Sequence, residues 1–174
     1  MPERLSADSL KNITIKSTNL NDIEEKTTAT VIIEQLKTPA KIFRERYWDQ
    51  PDQFIMSLDE YYGYFPYDVY KNENEVKKYE VGDKVFEKTD STNSRWVIVN
   101  GQFSAGWYKI VATAKDKYGE VVRTEKYVQL YSNKSVVPSF TPLEIIADKN
   151  SEEPGQKINY SIKTGFQNIW LIHT

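Results

Sequence analysis

The chain contains no cysteine and one histidine, His173, among its 174 residues. Without cysteine there is neither a disulfide nor a thiolate metal site. A lone histidine beside the final residue supplies no zinc cluster, and no base poised near neutral pH for nucleophilic hydrolysis. No apolar run reaches the roughly 18 residues of a membrane span, and the first ten residues have no apolar signal core. The 7 glycines are scattered among turns and build no phosphate-cradling loop. Charge of one sign is lacking too: 23 basic side chains against 25 acidic ones leave a formal net charge of −2. Nucleic-acid binding relies on a basic field that releases counterions, so it is not expected. These absences predict a chain that is not an enzyme and holds no cofactor or metal.

What is present is material for pleated sheet. There are 12 Tyr, 7 Phe and 4 Trp beside many Val, Ile and Thr, residue types that suit a half-buried strand. Residues 1–11 are polar and read as a frayed lead-in. Asn12 to Thr18 alternates and predicts a first strand. Thr27 to Leu36, rich in β-branched residues, predicts a second, broken by Pro39, which cannot donate to a ladder. Ile42 to Trp48 reads as a further extended segment. Trp96 to Val99, Trp107 to Lys115 and Glu120 to Tyr131 follow, the last two joined by a turn at Asp116 to Gly119. Alternation places Tyr108, Ile110 and Ala112 on one face, and the expected core is these three with Val31, Ile33 and Trp96.

The middle of the chain differs. Ser57-Leu58-Asp59-Glu60 has the S-x-x-E spacing of a capping box and predicts a short helix over Leu58 to Tyr64, stopped by Gly63 and Pro66. Residues 66–90 are polar and charged, so 57–90 reads as a helix-containing insertion, too long for a sandwich turn. Residues 133–141 read as a linker. Leu143 to Ala147, a Glu153-Pro154-Gly155-Gln156 turn, Ile158 to Lys163 and Ile169 to Ile172 then open a second unit over 142–174. Three strands leave unpaired edges, and both chain ends read as cut from a longer protein.

Two candidate surfaces emerge. Arg44 and Arg46, two apart on an extended segment, share a face and offer guanidinium forks to a carboxylate, either a partner's or that of Asp49 or Asp52. Tyr47, Trp48, Tyr61, Tyr62 and Tyr64 gather aromatic surface beside Asp49, Asp52, Asp59 and Glu60. A coplanar, exposed row of these rings would suit a sugar; buried rings would pin the insertion onto a scaffold. The acids at Glu73 and Glu75 lack the spacing of a calcium loop and read as a solvated stretch.

Three stretches carry a resemblance. Leu143 to Lys149 with Glu153 to Ile158 resembles the opening of a macroglobulin-type domain, in which a strand ends near Asp-Lys before a Pro-Gly turn. Ala105 to Gly119 looks like the penultimate hairpin of such a sandwich. Arg44 to Phe54, with its Tyr-Trp-Asp-Gln-Pro-Asp-Gln-Phe run, is similar to a segment of large bacterial alpha-2-macroglobulin-like proteins. The resemblance implies an all-β fold: an immunoglobulin/fibronectin-like antiparallel β-sandwich over 11–132 with the insertion at 57–90, followed by the first strands of a second sandwich. It implies a scaffold role in a protease-inhibiting parent, in the periplasm or at the cell surface, with neighbouring domains of the same chain as partners and proteases met through the parent. The family's thioester needs a cysteine, so none is carried onto this chain. A carbohydrate-binding or adhesive module of a surface protein is the alternative expectation.

Overall fold

The computed structural model describes residues 3–7, 10–39, 41–44, 46, 48–98, 103–131, 142–147, 149, 151–166 and 168–172. The chain divides into two compact units, one of residues 1–38 with 79–135, the other of residues 39–78 with 136–174.

The first unit is an all-β, sandwich-like fold. Its strands are β1 (Glu3–Ser6), β2 (Asn12–Thr14), β3 (Thr28–Lys37), β4 (Glu80–Ser91), β5 (Arg95–Val97), β6 (Gly106–Lys115) and β7 (Val121–Tyr131). Five of them form one sheet in the order β1-β7-β6-β3-β4, and β2 pairs with β5. β3 lies between β4 and β6, with Val31 opposite Ala112 and Ile33 opposite Ile110. Alternation along β3 and β6 therefore turns one set of side chains to one face. Val31, Ile33, Tyr108 and Ala112 are buried there with Val128 and Leu130 of β7. Ile110 is partly buried against the same cluster. The small β2–β5 pair supplies the facing layer: Ile13 sits opposite Trp96, and Trp96 is fully buried. Its indole Nε1 donates to the Ser91 carbonyl at 2.8 Å, so the polar end of the ring is satisfied inside the core.

The β6–β7 hairpin closes where the sequence predicts. The Asp116 carboxylate accepts from the backbone N–H groups of Tyr118 and Glu120 at 2.8 and 2.9 Å. Gly119 takes φ 89°, a conformation that a side chain would strain.

Three features depart from the sequence expectation. The sheet is mixed rather than purely antiparallel, because β1 pairs in parallel with β7 over Glu3↔Val128 to Ser6↔Tyr131. Part of the stretch that reads as a frayed lead-in is thus an edge strand; its Leu5 packs on the core, as do Ala7 and Leu10 beyond it, a spacing that matches no strand alternation. Residues 80–91, read as part of the insertion, form β4, a strand paired with β3 along its length. Two register shifts opposite Ile33, Glu34 and Leu36 break its alternation, and its free edge carries the charges that blunt unwanted pairing. The described residues of 42–48 form no strand, and neither do residues 169–172.

The second unit is smaller. Ser57 caps α1 (Leu58–Tyr64), its hydroxyl accepting from the Glu60 N–H at 3.3 Å. A single 3-10 turn follows at Val76–Lys78. β8 (Glu144–Ala147) pairs antiparallel with β9 (Tyr160–Lys163). The turn at Glu153 to Gln156 is present, with Gly155 at φ 89°. Tyr67 and Phe166 meet edge to face at 5.3 Å. The predicted linker at 133–141 lies outside the described residues. Among the described residues, no helix is long and apolar enough to cross a membrane.

Candidate functional site

The second unit holds a concavity of about 350 Å³. Its wall begins with the capped helix. Tyr61 and Phe65, four residues apart, lie on one side of the helix and its exit, with ring centres 5.2 Å apart. Tyr61 also leans on Tyr70 at 5.2 Å, and Tyr70 on Phe54 at 4.7 Å. Tyr70 is buried, and its hydroxyl donates to the Met56 carbonyl at 2.6 Å. Trp48, Pro51, Gln53, Ile55, Met56, Arg46 and Asp68 complete the lining.

Two arginines and one aspartate organise the polar side. Asp68 is buried and accepts from Arg44 Nε, while the Arg44 N–H donates to the Tyr67 carbonyl at 2.9 Å. Arg46 Nη2 donates to the carbonyl of Val69 and, at 3.4 Å, to that of Tyr70. Arg46 makes no ion pair among the described residues. The cation of Lys71 lies 5.3 Å from the Phe54 ring centre and 5.8 Å from that of Tyr70.

Of the residues read from the sequence, Arg46, Trp48 and Tyr61 come together in the concavity. Arg44 stands behind it, through Asp68. Tyr62 sits on the helix beside Phe43 and under Lys41, whose Nζ is 3.8 Å from its ring centre. The Tyr62 hydroxyl is buried and has no hydrogen-bond partner among the described residues. Burial, and after it the nearby Glu73 carboxylate, pushes its pKa up to about 12. Tyr64 is exposed, its ring 6.3 Å from Phe65, and it does not line the concavity. Tyr47 lies outside the described residues. Among the described residues neither arginine pairs with Asp49 or Asp52; their side chains reach the Asp68 carboxylate and the carbonyls of Val69 and Tyr70. The rings form no coplanar row: Tyr61 and Tyr62 are inclined by 67°, Tyr61 and Tyr70 by 55°. Phe54, Met56, Phe65, Asp68 and Tyr70 were not read as site residues. The only sequence cue to them is the density of aromatics between 54 and 70.

Glu73 folds back on its own turn, accepting from the Lys71 N–H at 2.8 Å. Among the described residues no group of three or more His, Cys, Asp or Glu side chains is placed to hold a metal ion.

Fold and site together define an all-β, sandwich-like protein with an aromatic concavity in its second unit. Comparison with the models of known families, with curated proteins and with solved structures finds no match to this chain.

Proposed function

We propose that the chain is a non-catalytic scaffold segment of a bacterial alpha-2-macroglobulin-like, protease-trapping protein, acting outside the cytoplasm by holding neighbouring domains of the same parent. One observation carries the scaffold part. Ile145 of β8 and Tyr160 of β9 are exposed, as are Leu143 and Ile158 shortly before each strand. A two-stranded pair is marginal on its own, and clustered apolar exposure of this kind marks a contact surface. The stretches resembling macroglobulin-type domains include β8 and the chain leading to β9 up to Ile158, which supports a further domain as the covering surface.

Two measurements test this reading. Hydrogen exchange across residues 142–163 is expected to be at least about tenfold slower in the parent protein than in the isolated chain, since burial against a partner suppresses local opening. Equal exchange in both would sink the scaffold role. The parent, incubated with trypsin, is expected to hinder cleavage of a large protein substrate while sparing a small peptide one. Unhindered cleavage of both would remove the protease trap. The carbohydrate-binding alternative has one observation in its favour, the exposed Trp48 at the mouth of the concavity. The tilted rings beside it count against a sugar-stacking platform.

A further inference from the structure

We infer that the concavity of the second unit is a binding site for a compact apolar carboxylate: one ring or branched chain bearing a single anionic group. This stands apart from the scaffold reading and does not depend on it.

The argument begins with charge. Among the described residues that line the concavity, Arg46 and Asp68 are the two of charged type. Asp68 is already compensated by Arg44. Arg46 has no such partner among the described residues: the carbonyls of Val69 and Tyr70 hold its Nη2 in place but neutralise nothing. Those two contacts use one of its three nitrogens, which leaves Nε and Nη1 to donate. With Nη2 committed, the Nε and Nη1 N–H groups point in different directions, and each can give a carboxylate a single charge-assisted hydrogen bond. Arg46 lines the same concavity as the rings of Trp48, Phe54, Tyr61, Phe65 and Tyr70, and beside apolar walls a charge gains most from a counter-ion. Lys71, outside the lining itself, places a second cation beside the Phe54 and Tyr70 rings.

The apolar part follows from the walls. Trp48, Phe54, Tyr61 and Phe65 offer ring faces and edges, and the Tyr70 hydroxyl is spent on Met56, so it asks nothing of a ligand. Trp48 is 61% exposed and Phe65 41% exposed. Covering them would remove apolar surface from water, the main source of affinity in such a site. A volume of about 350 Å³ suits a small molecule at the lower end of ordinary ligand pockets.

The test compares phenylbutyrate with phenylbutyramide, which have the same shape and differ in charge, by calorimetric titration of the whole chain. The carboxylate is expected to bind at least about tenfold more tightly, the margin of a charge-assisted hydrogen bond over a neutral one. Trp48→Ala, at an exposed position, is expected to weaken both probes while the far-ultraviolet circular dichroism stays unchanged. Arg46→Gln is expected to abolish the preference for the carboxylate. Should that variant unfold, the two probes on the unaltered chain still decide the matter. Equal binding of carboxylate and amide overturns the anion assignment. Binding of neither probe by the folded chain overturns the site.

Discussion

Tyr62 shows how a single side chain departs from its expected role. The sequence reads it as part of an aromatic surface, yet its hydroxyl is buried with no hydrogen-bond partner among the described residues. A buried polar group with no partner costs roughly 1–3 kcal/mol, so Tyr62→Phe is expected to leave the chain as stable or to stabilise it by about 1 kcal/mol, measured by urea unfolding. The pH dependence has a definite sign. The folded pKa, about 12, lies above the ordinary 10.0. The folded chain therefore keeps a proton that the unfolded chain loses, and the associated stability is whole below pH 10.0 and declines as pH rises toward 12. In Tyr62→Phe that decline should be smaller, and a phenolate absorbance titration should lack one late-titrating group. Trp48 and Tyr61 were legible as contact surface because large rings in a polar stretch are conspicuous. Phe54 and Tyr70 were not, since their meeting depends on a turn between positions far apart in sequence.

At the scale of elements, the cap at Ser57, the β6–β7 turn and the faces of β3 and β6 could all be read locally. Each depends on residues two to four apart. β4 could not be, and Gly82 shows the reason. It lies where the β3–β4 register slips, and an added Cβ would come within 2.9 Å of the Gln35 carbonyl oxygen. Gly82→Ala is expected to destabilise the sheet by about 1–3 kcal/mol in urea unfolding, the usual cost of overpacking against backbone. On the face of the sheet opposite Tyr108, Glu125 meets Lys109 diagonally across the β6–β7 pair at 3.2 Å and Arg123 at 2.6 Å. The Lys109 contact, with help from Tyr127 and Arg123, holds its carboxyl below the usual 4.5. A lowered carboxylate stabilises the fold above its unfolded value, and this contribution fades as pH falls below 4.5 through the folded value. Glu125→Gln should therefore lower the urea midpoint at neutral pH and differ less from the parent sequence in acid.

Across the whole molecule, stability should follow burial. Amides of β3 and β6, central in the five-stranded sheet, are expected to exchange slowest with solvent deuterium, and those of β8 and β9 fastest among the strands. Comparable protection in both would contradict the burial pattern. What the sequence by itself determined is local: that the chain is mostly strand, where the helix begins, and which residues of β3 and β6 turn inward. Those features rest on alternation, capping and turn chemistry among near neighbours. The tertiary structure decided the rest. It set the parallel pairing of β1 with β7, the recruitment of a charged stretch as an edge strand, and the union of Arg46, Phe54 and Tyr70 around one concavity. These are contacts between residues distant in sequence, and their energies come from burial and pairing that no short window of the chain contains.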